Sequence, residues 1–454
     1  MSAALASVEM ASRRVKASDQ ADKKLAVFHF DSLLFWCWIA LLLLGVVMVA
    51  SASVSYAAAT EGDPAFYIKK HLAFLFIGGI ASAVLIRLPL AFWYQVAPFV
   101  LLMAYFLLVI VLIPGVGIER NRARRWIGAG GATIQVAELA KAALIIFLSA
   151  YLVRQGDTLR ASWYGVSKPV GLLALFMVLL LLQPDFGSVV VMAGITVVLV
   201  FLAGMHFLKF ISVALLGLGA LSYFVLSSEY RMDRITGYLD PWADQFDTGY
   251  QLTQSLIAFG RGEWFGVGLG NSLQKLLYLP EAHTDFVFAV LAEELGLFGS
   301  LITIVLLSVM IGRIFQLGVR AVNAGLAFGG FIAIGTATMF ALQSLINIGV
   351  ACGLFPTKGL TLPFISAGGS SLLVCMAMTA ICLRVSQEVQ TKAQRPAKNA
   401  NKSPNKAAPG FSLKKSRKGV GTNSRSLFQK NSRSSSRSKS RNLFRNWVRR
   451  EVSP

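Results

Sequence analysis

The chain has 454 residues, of which 55% are hydrophobic and only 14% charged, where a soluble protein carries about 25% charge. So little polar surface excludes a water-soluble globule and leaves lipid as the solvent. The formal charge of +21 does not mark a nucleic-acid binder: from residue 387 onward 18 basic residues face only Glu388 and Glu451, so this tail supplies +16 of the total.

Residues 1–30 carry Arg13, Arg14, Lys16, Lys23 and Lys24 ahead of an apolar run too long for a cleaved signal, which reads as a retained first span. Apolar runs follow one another near 33–54, 72–90, 94–114, 136–154, 169–184, 187–204, 207–227, 286–312, 326–350 and 368–386. A helix needs about 20 apolar residues to cross a bilayer, so these runs predict ten spans. The expected fold is all-α: a polytopic membrane domain over 31–386, a basic segment before it and a disordered basic tail over 387–454. An even number of spans puts both basic termini on one side, and the positive-inside bias makes that side cytoplasmic. Arg154, Arg160, Lys168, Arg313 and Arg320 then also fall inside. The tail suits anionic lipid of the inner leaflet, and no nucleic acid is expected.

Three longer outward loops remain, at 115–135, 228–285 and 351–367. The first holds Arg120, Arg122, Arg124, Arg125 and Trp126, cationic charge where orientation disfavours it, which suggests an anionic ligand. Behind it Glu138 and Lys141 stand three apart on one helix face, either as an internal ion pair or as groups that orient a phosphate. Gln183-Pro184-Asp185 form a tight outer turn in which Asp185 suits a helix cap as well as a ligand.

In the long loop, residues 250–259 show helical spacing of Leu252, Leu256 and Phe259, consistent with lying on the interface. Glycine-punctuated 260–270 precedes Tyr278-Leu279-Pro280-Glu281-Ala282-His283-Thr284-Asp285. Asp285, at the outer end of the eighth span, suits either a helix cap or a general base. The last outward loop holds Lys358 and Ser366-Ala367-Gly368-Gly369, where a glycine-rich helix start can bind phosphate. The four cysteines and four histidines show no metal-ligand spacing and no cofactor is evident.

Taken together, Arg125-Trp126-Ile127, Gln183-Pro184-Asp185, Gly249–Gly262, Tyr278–Phe286 and Pro356–Pro363 resemble the SEDS family (shape, elongation, division and sporulation), especially its division-type branch. The resemblance spans about residues 33–386. It implies a peptidoglycan glycosyltransferase that polymerises lipid II at the outer face of the bacterial inner membrane, at the septum. It further implies a class B penicillin-binding transpeptidase and other divisome proteins as partners.

By the same resemblance Asp285 is the catalytic base, and Arg125 and Lys358, with Arg124 as a weaker addition, hold the pyrophosphate. Glu281 and Gln183 orient the site and Trp126 holds the loop or lipid. The substrate-binding set is completed by Lys141, Asp185, His283, Ser366, Gly368 and Gly369. A divalent cation bridging Asp285 and pyrophosphate is compatible with this set. Two departures stand out: Val136 where the family usually has proline, and Ala367 where it usually has tyrosine, so no contact is assigned to position 367. A lipid II flippase and a non-catalytic divisome scaffold are the rival readings. The flippase fits less well because the polar blocks lie almost entirely outside.

Overall fold

The structure, a computed structural model, describes residues 30–400 except 121, 122, 130, 131, 227–231, 233–235 and 358. Arg122, Lys358, the N-terminal segment and the tail beyond 400 therefore lie outside the described residues. In chain order the helices are α1 (Ser32–Glu61), α2 (Phe66–Leu85), α3 (Leu90–Ile110), α4 (Val136–Ala161), α5 (Trp163–Leu182) and α6 (Phe186–Leu202). They continue as α7 (Phe207–Leu226), α8 (Tyr250–Gly262), α9 (Val287–Asn323), α10 (Ala327–Ala351) and α11 (Gly369–Ala400). Among the described residues eight of these are long and apolar enough to cross a bilayer, and α6 and α7 are apolar but shorter. The protein is thus a polytopic, predominantly α-helical membrane protein.

Each span is made by what lipid demands. Backbone polar groups must pair within the segment, and side chains facing outward must be apolar. Trp36, Leu43, Phe76, Ile80, Phe99, Leu102 and Phe106 are accordingly exposed, while Leu34, Leu41, Met48 and Phe340 are sealed inside. Spans α4, α10 and α11 bury the largest share of their surface and form the centre of the bundle. Local chemistry sets the ends. Asp31 caps α1 by accepting from Leu34 N at 3.2 Å, and Gly62 closes it with φ 71°.

Three features differ from the sequence reading. Residues 118–135 are not an irregular loop but a three-stranded antiparallel sheet, β1 (Ile118–Arg120), β2 (Ala123–Ala129) and β3 (Ala132–Gln135). Strands this short, rich in arginine and glycine, hide their alternation. Helix α5 starts at Trp163 rather than 169, because Ser162 caps it by accepting from Gly165 N at 3.3 Å. Helix α9 is broken at Gly296 (φ 68°, ψ −165°) into a buried segment, 287–295, and a span. The long loop takes up the freed backbone groups: Val267 N donates to Glu293 O at 2.9 Å, Gly268 N to Glu294 O at 3.0 Å, and Leu297 N to Glu263 O at 2.9 Å.

The predicted helix over 250–259 is present as α8, but it lies against protein rather than only along an interface. Leu252, Ser255 and Ala258 are buried, Ser255 Oγ donates to Ala351 O at 2.8 Å, and Phe259 meets Phe288 with ring centroids 5.9 Å apart. A Cβ on Gly262 would stand 2.0 Å from Ala292 O, so only glycine allows this approach. The cysteines are free; Cys37, Cys375 and Cys382 are buried in the helices.

Candidate functional site

A cavity of about 860 Å³ opens where the loop before α9, the turn before α11, the β-sheet and the α1–α2 hairpin converge. Asp285, Glu281, His283, Arg125, Trp126, Gly368 and Gly369 all line it.

Asp285 sits at the last position of a turn that Glu281 organises. Glu281 adopts φ 54°, a left-handed conformation that costs a non-glycine residue about 1–3 kcal/mol. In return its carbonyl accepts from the N–H groups of Thr284, Asp285 and Phe286 at 3.1, 3.0 and 3.2 Å, and its carboxylate accepts from Thr284 Oγ1 at 2.7 Å. The N-cap of α9 is Phe286, not Asp285. The Asp285 carboxylate rests against the opposite loop: a Cβ on Gly359 would lie 2.9 Å from Oδ2. His283, buried, stacks on Tyr56 and Tyr67. Burial pushes its imidazole pKa down, with the Glu281 carboxylate opposing.

Arg125 reaches across from β2 to the α5–α6 turn, donating from Nε to Gln183 O at 3.0 Å and from a terminal nitrogen to Pro184 O. Arg124, the next residue along the strand, points the other way as strand geometry requires, pairing with Glu119 at 3.0 Å. Of the two arginines only Arg125 lines the cavity.

Behind this wall Lys141 Nζ lies 2.7 Å from Glu138 Oε1, both residues almost fully buried. Glu138 lines the cavity, its Oε2 without a hydrogen-bond partner among the described residues, while Lys141 stands behind it. The ion-pair alternative for these two therefore describes what is seen.

The turn before α11 is tied to the Asp285 loop by Ala367 N donating to His283 O at 2.9 Å. Gly369 must be glycine for packing, because a Cβ would meet the Phe74 ring at 2.5 Å. Ala367, to which no contact was assigned, lines the cavity. Ser366 instead turns inward, its Oγ accepting from Leu362 N at 2.8 Å. Asp185 caps α6 through Ser188 N at 3.2 Å and Oγ at 2.9 Å, and Gln183 Nε2 donates to Leu108 O at 3.2 Å. Ser366, Asp185, Gln183, Lys141 and Arg124 are thus held outside the cavity lining among the described residues.

Sequence reasoning missed the α1–α2 contribution: Tyr56, Glu61, Tyr67, Lys70 and His71 all line the cavity. The stretch Phe66-Tyr67-Ile68-Lys69-Lys70-His71 opening the second span was a usable signal, since aromatic and charged groups gather there beside an apolar run.

Chemically, the cavity brings the Asp285 carboxylate, the Arg125 guanidinium and the first turn of a long helix into one lining, and a helix N-terminus favours an anion. Among the described residues no three His, Cys, Asp or Glu groups gather to hold a metal ion.

The family model of the FtsW/RodA/SpoVE cell cycle proteins matches residues 31–391. The chain is 47% identical over 380 residues to a probable peptidoglycan glycosyltransferase FtsW of Hahella chejuensis, covering 83% of this chain and 96% of that protein. It is 49% identical over 360 residues to the protein of the same description from Nitrosococcus halophilus, covering 79% and 93%. Its fold matches a chain of a peptidoglycan synthase complex that coordinates polymerization and crosslinking, with TM-score 0.64 and 28% identity over 80% of this chain and 99% of that one. The rod shape determining protein RodA of Thermus thermophilus matches with TM-score 0.60 and 27% identity, over 80% and 98%.

Proposed function

The chain belongs to the FtsW/RodA/SpoVE family of cell cycle proteins, and from that premise we propose that it is a peptidoglycan glycosyltransferase that polymerises lipid II during cell division. The observation that carries this reading is the placing of Asp285 in one cavity with Arg125 and the start of α11. Asp285 takes the proton of the acceptor's 4-hydroxyl as that oxygen attacks the donor's anomeric carbon. The new C–O bond forms as the anomeric C–O bond to undecaprenyl pyrophosphate breaks, and the electron pair leaves with the pyrophosphate. Attack from the opposite face inverts the α linkage to β-1,4.

Charge builds on the leaving pyrophosphate, so fixed donors aimed there lower the barrier. Arg125 and the N–H groups of the first turn of α11, from Gly369 on, are suited to this, with Lys358 as the further cation. Gly368 lets the chain approach closely, its own N–H being donated to Ser366 O at 2.8 Å. Glu281 sets the turn that carries Asp285. Trp126 offers an aromatic face at the cavity wall. Arg124, Lys141, Gln183, Asp185 and Ser366 support the site from outside its lining: Lys141 by pairing Glu138, Gln183 and Asp185 by fixing the turn that Arg125 grips. A divalent cation at Asp285 would complete its coordination with substrate phosphates and water.

The active face is the outer face of the inner membrane, both termini are cytoplasmic, and the site of work is the division septum. The partner is a class B penicillin-binding transpeptidase with the wider divisome. The structural likeness to a synthase complex that couples polymerization to crosslinking supports a partner of that kind.

The test is reconstitution with labelled lipid II and a transpeptidase whose own chemistry is blocked. Wild type is expected to make glycan ladders and Asp285→Ala none, with lipid binding retained. Equal ladders would remove Asp285 from the mechanism; none from either, in a folded complex, would favour the flippase or scaffold.

A further inference from the structure

The end of α1 and the start of α2 contribute a wall of the cavity that the chemistry above does not use. We infer that this wall is a carbohydrate subsite that seats the acceptor sugar beside Asp285, an inference that rests on the glycosyltransferase reading.

Tyr56 and Tyr67 each stack against His283 with ring centroids 4.8 Å apart, tilted by 35° and 52°, and lie 5.8 Å from each other. The three rings come from three separate stretches of chain and hold one another, so the surface is preformed. His283 is two residues before Asp285, and both line the cavity, so a ligand resting on this cluster is delivered to the carboxylate. Deeper on the same wall His71, only 3% exposed, also lines the cavity, and its Nε2 has no hydrogen-bond partner among the described residues. A buried ring nitrogen left unpaired is unfavourable, and a ligand hydroxyl or acetamido group would satisfy it.

The combination selects the ligand class. A pyranose has an apolar C–H face and a rim of hydroxyls, which suits aromatic faces supplemented by one or two placed polar atoms. A lipid tail has no use for the His71 nitrogen. A pyrophosphate is drawn to the Arg125 side, because here Glu61 and Lys70 are both present and leave the wall nearly neutral.

The experiment uses the full chain in nanodiscs and two probes: a lipid-free tetrasaccharide of β-1,4-linked N-acetylhexosamines, and undecaprenyl pyrophosphate. Tyr67→Ala and His71→Ala are expected to weaken tetrasaccharide binding roughly tenfold and leave undecaprenyl pyrophosphate binding unchanged. In turnover they raise KM for the acceptor more than they lower kcat, and Tyr67→Trp restores binding. Unchanged tetrasaccharide affinity, or an equal loss for both probes, would overturn the subsite, as would a wild type that does not bind the tetrasaccharide. Failure of the glycosyltransferase reading looks different: wild type binds the tetrasaccharide, the variants lose it, and no glycan forms. Thermal unfolding checks each variant, and where an alanine fails to fold, Tyr56→Ala and His71→Asn decide by the same measurements.

Discussion

The Asn347 side chain in α10 donates from one nitrogen to two carbonyls, Asp285 O at 2.8 Å and Leu360 O at 2.6 Å. The residue proposed as base and the loop against which its carboxylate rests are thereby tied to one buried amide in a central helix. Replacing Asn347 by Leu keeps the bulk but strands both carbonyls, costing about 2–3 kcal/mol. The expected result is a lower unfolding midpoint together with a fall in kcat larger than any change in lipid II affinity. Unchanged kcat in a destabilised protein would make Asn347 purely structural.

Gly359 offers a sharper probe of the same pair. Its φ is not left-handed, so alanine brings no backbone penalty there, yet the added Cβ would stand 2.9 Å from Asp285 Oδ2. A carboxylate displaced by a few tenths of an ångström loses its alignment with the attacking hydroxyl. Gly359→Ala is expected to lower the rate of glycan synthesis about tenfold or more, equivalent to ~1.4 kcal/mol of barrier, with little change in thermal stability. Wild-type turnover would place the working carboxylate away from this loop.

How far the sequence carried this reading follows from what each feature needs. Lipid disfavours polar interruption, so the ten apolar runs were visible; Asp285, Gly368 and Gly369 stood out because their motifs sit at helix ends, and Arg125 because arginines gather in an outward loop. The break at Gly296 was hidden inside the run 286–312, where Glu293 and Glu294 were the one polar interruption beside it, because the groups that repair it come from residues 263–268. Gln183 and Asp185 carried a recognisable motif, but sequence could not show that the motif builds the turn gripped by Arg125 rather than the cavity wall. Tyr56 carried no signal, and although the aromatic and charged stretch with Tyr67 and His71 marks the start of the second span, only tertiary packing brings Tyr56 and Tyr67 to His283.

The Glu138–Lys141 pair predicts an asymmetry between single and joint replacement. Removing one partner leaves an uncompensated buried charge, at about 3–5 kcal/mol, whereas apolar replacement of both is close to neutral. Lys141→Met should therefore unfold at much lower temperature than Glu138→Leu combined with Lys141→Met. Activity should be lost in both, since Glu138 lines the cavity. Recovery of activity in the double variant would make the pair a packing device only.

His283 gives a pH dependence of defined sign. Its pKa lies below the ordinary 6.5 in the folded protein because burial disfavours the imidazolium. As pH falls below about 6.5 the unfolded chain takes up the proton first, so the contribution of His283 is present above that pH and lost below it. Unfolding free energy measured from pH 7.5 to 5 should fall with acid in wild type and fall less steeply in His283→Gln. A parallel slope in the variant would assign the acid loss to other groups.

The long loop is pinned to the buried segment of α9 by two carboxylates that are unequal partners of their cations. Glu293 is fully buried and accepts from Arg261 at 2.6 Å, from Leu273 N at 3.0 Å, from Gln274 N at 3.3 Å and from the Ser272 hydroxyl. Glu294 accepts from Lys275 at 2.9 Å and from Ser51 Oγ at 2.7 Å. Arg261, about a third exposed, can return to water if its partner goes, but the buried N–H of Gln274 cannot while the loop holds its place. Glu293→Ala should therefore cost at least about 2 kcal/mol and release the loop. Arg261→Ala leaves three donors on the carboxylate and should cost about half as much. Limited proteolysis between residues 263 and 275 reads the difference: rapid cleavage in Glu293→Ala, slow cleavage in Arg261→Ala. Asp285 stands at the head of the same buried segment, so glycan synthesis should fall in step with loop release. Full activity in a Glu293→Ala protein whose loop is cleaved would uncouple the clamp from the site.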